Sequence, residues 1–97
     1  MAKFVLKSIR DKKKFKIKGA IKIGRTHESN IFNYSPISRE HGEFILRNKK
    51  LFVKDLNSTN GTLLNGQKCI PFDEVEVKKN DILDIGSIEY KIKKSLF

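Results

Sequence analysis

Asp55-Leu56-Asn57-Ser58-Thr59-Asn60-Gly61-Thr62-Leu63-Leu64-Asn65-Gly66 is the stretch on which the reading of this chain turns. It is too polar for a core strand, and apolar runs flank it on both sides. Asn-Gly, the strongest short-range hairpin signal because both residues tolerate positive φ, occurs twice in it. Ser58 and Thr59 precede the first pair, with hydroxyls that bond readily to nearby backbone in a turn. Taken alone, the stretch fits two readings. One is a plain turn. The other is a rigid loop that offers hydroxyls, an amide and backbone N–H groups to a polar ligand.

Outward from it the apolar period is two. Leu51 to Lys54 and Glu43 to Arg47 form a strand pair joined through Asn48-Lys49-Lys50. Lys14-Phe15-Lys16-Ile17-Lys18 alternates fully, with Phe15 and Ile17 inward and three lysines outward. Lys3 to Ile9, Ile21 to Ile23, Val75 to Val77, Ile82 to Ile85 and Ile88 to Ile92 are further strands. Arg10 to Lys13, Asn65-Gly66, Pro71, Lys79 to Asp81 and Gly86-Ser87 supply the turns. No window carries a helical stripe. Short strands at regular spacing predict an all-β sandwich or barrel, and 97 residues are expected to make one domain, residues 1–97.

The formal net charge is +10, which favours anionic partners without choosing among them. Lysines 12, 13, 14, 16 and 18 form a basic patch on the first hairpin. Its reading is either a solvated edge that discourages aggregation or a second contact for an acidic partner segment. No apolar run approaches a membrane span, and the first seven residues do not read as a signal peptide. One cysteine, Cys69, excludes an internal disulfide and points to a reducing, cytoplasmic setting.

The enzymatic options are thin. Ser38, His41 and Asp55 superficially offer a triad, but there is no nucleophile elbow, and a serine three residues from its base is poorly placed for attack. His27, His41 and Cys69 lack metal-ligand spacing, so no metal is expected. Phosphate-cradling Gly-rich motifs are absent, and no cofactor is expected. Binding has better material. Arg25 and Arg39 are two of only four arginines among 21 basic residues, each at a strand–loop junction. Guanidinium matches phosphate bidentately where ammonium is a point charge. Between them runs a polar loop, Thr26-His27-Glu28-Ser29-Asn30.

Five segments in order, Ile23-Gly24-Arg25, Ser38-Arg39-Glu40-His41, Asp55 to Thr62, Leu64-Asn65-Gly66 and Asn80 to Gly86, resemble the forkhead-associated (FHA) domain family. The motif core spans residues 24–66, and the flanking strands extend the likeness over nearly the whole chain. The resemblance implies an eleven-stranded β-sandwich of two mainly antiparallel sheets, whose loops at one end bind phosphothreonine peptides. Carried over by position, Arg25 binds phosphate oxygens and Ser38 donates its hydroxyl to them. Arg39 contacts phosphate or peptide, Thr59 fixes the phosphate and lines the methyl pocket, and Asn60 bonds the peptide backbone. Gly24, His41, Ser58 and Gly61 support the site. Gly42 stands where the family more often has a small apolar side chain, expected to be a mild packing change.

The expected function is a non-enzymatic, monomeric adaptor whose partner is a phosphothreonine-bearing protein or a Ser/Thr kinase. Nucleic acid and membrane insertion are not expected. The alternatives are a basic nucleic-acid-binding domain and a phosphate-independent assembly domain of the same fold. Against the first, Phe4, Phe15, Phe44 and Phe52 fall in core-like patterns rather than on a stacking platform.

Overall fold

The computed structural model describes residues 2–25 and 30–96. Ten strands run in chain order: β1 (Ala2–Ser8), β2 (Lys14–Ile17), β3 (Ala20–Ile23), β4 (Gly42–Arg47), β5 (Lys50–Asp55), β6 (Thr62–Leu64), β7 (Gln67–Lys68), β8 (Glu74–Val77), β9 (Ile82–Ile85) and β10 (Ile88–Leu96). They form two sheets, β2-β1-β10-β9-β6-β7 and β3-β4-β5-β8. Every pairing is antiparallel. A single turn of 3-10 helix at Asn30–Phe32 is the one helical element among the described residues, and no helix there is long and apolar enough to cross a membrane.

The alternation seen in the sequence is the alternation between core and solvent. Phe4 and Leu6 of β1, Ile17 of β2, Phe44 of β4, Leu51 and Val53 of β5, and Tyr90 and Ile92 of β10 all point between the sheets. Phe15 packs against that core, and its ring meets Phe32 edge-on at 6.4 Å. Phe52 departs from the expectation. It alternates with the buried Leu51 and Val53, so it faces outward, where the Arg47 guanidinium covers its ring at 4.7 Å.

The sandwich matches the expected class, with ten strands among the described residues instead of eleven. Two of the ten, β6 and β7, were read as loop in the sequence. They are three and two residues long, too short to show a period. The two Asn-Gly pairs do different jobs. Asn65 and Gly66 both adopt positive φ, 49° and 86°, and close the β6–β7 hairpin. In Asn60-Gly61 only the glycine does, at 80°. That pair closes no hairpin. It ends the loop by which the chain leaves β5 in one sheet and enters β6 in the other.

Gly42 also departs from the mild change expected. A Cβ there would lie 2.4 Å from the carbonyl oxygen of Lys54, because β4 and β5 approach closely at their Gly42–Asp55 register pair. Glycine is what the closeness allows.

Candidate functional site

Three loops meet at one end of the sandwich. The first begins at Arg25 after β3, the second runs from Pro36 to His41 before β4, and the third spans residues 56–61 between β5 and β6. Backbone pairing joins the first two: the Arg25 N–H reaches the Ser38 carbonyl at 3.3 Å, and the His41 N–H reaches Ile23 at 2.9 Å. Arg25 Nε donates to the Ile37 carbonyl at 2.6 Å, which fixes the guanidinium plane beside Ser38. Two bonds at the surface join the second loop to the third. The Thr59 N–H donates to Ser38 Oγ at 3.1 Å, and Asn60 Nδ2 donates to the Pro36 carbonyl at 2.7 Å. Arg25, Ser38, Thr59 and Asn60 therefore share one rim. Arg39 is exposed in the turn between Ser38 and His41, and Gly24 is buried where β3 ends. Of the polar loop expected at 26–30, residues 26–29 lie outside the described residues.

Beneath the rim lies a buried polar cluster. His41 has no exposed surface. Its Nδ1 accepts the Ser38 N–H at 3.1 Å, which places the ring proton on Nε2. Nε2 in turn donates to the Gly61 carbonyl at 3.0 Å, with Thr62 Oγ1 at 3.1 Å. One imidazole thus ties the second loop to the end of the third. Burial disfavours its charged form and holds its pKa below the usual 6.5, with the Gly61 bond and Asp55 only partly opposing. With both ring nitrogens committed in this way, His41 is not set as a base for Ser38 Oγ.

Asp55 is the hub of the third loop. Its Oδ1 accepts Ser58 Oγ–H at 2.6 Å and Thr62 Oγ1–H at 2.7 Å, and its Oδ2 accepts the Ser58 N–H at 3.0 Å. Burial alone would push this carboxyl up, but the bonds from Ser58 and Thr62 outweigh it and hold the group below 3.8. Ser58 Oγ also accepts the Gly61 N–H at 3.0 Å, so it spans the turn from both sides. Gly86, in the β9–β10 turn, presses on the second loop. Its N–H donates to the Gly61 carbonyl at 3.1 Å, and a Cβ on it would come within 2.6 Å of the Pro36 carbonyl oxygen.

Asp55, Thr62 and Gly86 carry much of this architecture, and sequence reasoning did not place them in the site. Aspartate three residues before serine is a local turn signature that could have singled out Asp55. Nothing local marks Thr62 or Gly86, since their partners are distant in the chain. Cys69 is buried after β7, and burial pushes its thiol pKa up, so it is not activated.

The family profile of the FHA domain matches residues 21–86, which spans the three loops and the strands that carry them. The chain belongs to the FHA domain family. Solved FHA domains share its fold at low identity. The FHA domain of an Arabidopsis thaliana hypothetical protein superposes with a TM-score of 0.87 at 22% identity, covering 100% of this chain and 89% of that one. The FHA domain of the CT664 protein from Chlamydia trachomatis gives 0.84 at 20%, covering 97% and 99%. The N-terminal FHA domain of S. cerevisiae Rad53p, solved in complex with a phosphothreonine peptide, gives 0.82 at 19%, covering 96% and 94%. No curated protein sequence matches this FHA domain.

Proposed function

We propose that this FHA domain is a non-enzymatic adaptor module that binds phosphothreonine peptides on the rim formed by Arg25, Ser38, Thr59 and Asn60, with Arg39 beside it. The observation that carries the reading is the Thr59 N–H to Ser38 Oγ bond. A hydroxyl has one proton and two lone pairs. With a lone pair taken by Thr59, the Ser38 proton is left to point away from the third loop, toward a ligand on the rim.

The neighbours suit the same ligand. With Nε held by Ile37, Arg25 presents its two terminal amino groups as a fork for phosphate oxygens. Asn60 uses one N–H on Pro36 and keeps an N–H and its Oδ1 for a peptide backbone. Phosphothreonine brings about −1.5 to −2 charges and three acceptor oxygens. Asp55, the carboxylate beneath the rim, is buried and engaged by Ser58 and Thr62, so it does not oppose the anion at the surface. Because the loops are already bonded to one another, little ordering entropy remains to oppose binding.

Calorimetric titration with a phosphothreonine peptide, its phosphoserine counterpart and the unphosphorylated peptide tests the reading. Binding requires the phosphate, and the threonine methyl adds about 1–3 kcal/mol over serine. Arg25→Ala removes measurable binding at unchanged Tm, and Ser38→Ala weakens it by about 1.5–3 kcal/mol. Equal affinity for phosphorylated and unphosphorylated peptide, or an Arg25→Ala variant that binds like wild type, refutes it.

A further inference from the structure

The lysines of the first hairpin do not act as the unit their sequence position suggested. Lys13 pairs with Asp11 at 3.8 Å, and Lys12 sits in the turn with φ of 66°. Lys14 and Lys16 instead join lysines from two other strands. On the outer face of the six-stranded sheet, Lys7 of β1 stands directly opposite Lys14 of β2 on one side and Lys91 of β10 on the other. Two residues along, Val5 stands between Lys16 and Lys93. Five lysines thus surround one valine on one face of the sheet. The ion pairs recorded for described lysines fall on Lys13, Lys22 and Lys54, not on these five. Lys91, Lys7, Lys14 and Lys79 all depress the pKa of Lys93, as uncompensated like charges do.

Edge protection explains lysines on β2, which is an edge strand, but not those on β1 and β10, which are interior. Like charges directly opposite across a ladder destabilise it. The arrangement therefore works against folding, and its use must lie elsewhere.

Its limits show what it faces. Toward the peptide loops the same face turns acidic, with Glu89 opposite Asp84. Away from them it continues: Lys79 leads to a cleft at the far end of the sandwich, where Lys49, Lys50 and Lys78 stand over Phe4 and Val77, with Glu76 the one acid. The cationic surface thus covers a sheet face and the end remote from the peptide loops. It is broad and, among the described residues, holds no arginine and offers neither a helix for a groove nor an exposed aromatic for base stacking. A duplex would touch such a surface along one line, whereas a plane of anionic headgroups meets it broadly, with long lysine stems lying over Val5.

We propose that this lysine surface docks the domain on an anionic phospholipid membrane, with the phosphopeptide loops turned outward. The docking is separate from peptide binding and does not depend on it.

Sedimentation with phosphatidylcholine vesicles, with and without roughly one-third phosphatidylglycerol, tests it. Wild type partitions onto the anionic vesicles and is released by salt. Each lysine removed costs about fivefold in partitioning, so Lys7→Gln, Lys14→Gln, Lys91→Gln and Lys93→Gln together lower it about 600-fold. Phosphopeptide titration of the same variant shows unchanged affinity, and a Tm no lower than wild type shows that it is folded. Should the fourfold variant misfold, Lys14→Gln with Lys16→Gln, both exposed on the edge strand, gives the same readout at about 25-fold. Equal partitioning onto neutral and anionic vesicles, variants that partition like wild type, or duplex DNA that binds more tightly than the vesicles and displaces them would each overturn the proposal.

Discussion

Replacing the hub carboxylate by its isosteric amide, Asp55→Asn, isolates what holds the third loop. Three protons converge on this side chain, from Ser58 N, Ser58 Oγ and Thr62 Oγ1. An amide keeps one acceptor oxygen. In either flip its NH2 faces a donor, so at least one buried N–H or O–H loses its partner. An unpaired buried donor costs about 1–3 kcal/mol, and bonds to a charged acceptor are worth more than bonds to a neutral one. The net expectation is about 2–3 kcal/mol, which in a domain of this size is a Tm drop of about 10–20 °C. Thermal unfolding followed by circular dichroism measures it, with the exposed Asp73→Asn as control. Phosphopeptide affinity falls with it, because Thr59 and Asn60 ride on the loop that Asp55 holds. A Tm within about 2 °C of wild type would show that the Asp55 bonds contribute nothing net, and the account of the loop would be wrong.

Neutral His41 is the form that accepts the Ser38 N–H, and its folded pKa lies below the unfolded 6.5. Its contribution is therefore complete above about pH 6.5 and is lost as pH falls through the lowered folded value. Denaturant midpoints should hold steady from pH 8 to 7 and decline below about 6.5, a decline that His41→Phe should lack; a midpoint that rises on acidification would contradict the tautomer. Gly86→Ala meets the Pro36 carbonyl and a φ of +58°, so it should lose about 2–3 kcal/mol in chemical denaturation and weaken phosphopeptide binding by shifting the second loop. Phe72 is 62% exposed at a φ of 69° that suits asparagine or glycine. Phe72→Asn should therefore raise stability by about 0.5–1 kcal/mol in the same assay.

The β-sandwich was legible in the chain because burial of a strand is written at a spacing of two, inside one short segment. Each of the eight strands read from alternation is found, with ends shifted by a few residues. Residues of the rim could be named through a likeness to a family, in segments whose order survives in one dimension. Two kinds of fact were not written locally. The first is which partner a polar group finds: Asn60 with Pro36, Thr59 with Ser38, His41 with Gly61 are bonds across 20 or more positions. They exist because the chain crosses from one sheet to the other between Asp55 and Thr62. The second is register. Whether Lys7 faces Lys14 and Lys91, or carboxylates, depends on how three strands slide against one another, and that is decided by packing of their inner faces. Alternation is a property of neighbours in the chain; convergence of charges and hydroxyls is a property of neighbours in space, and only the folded sandwich decides it.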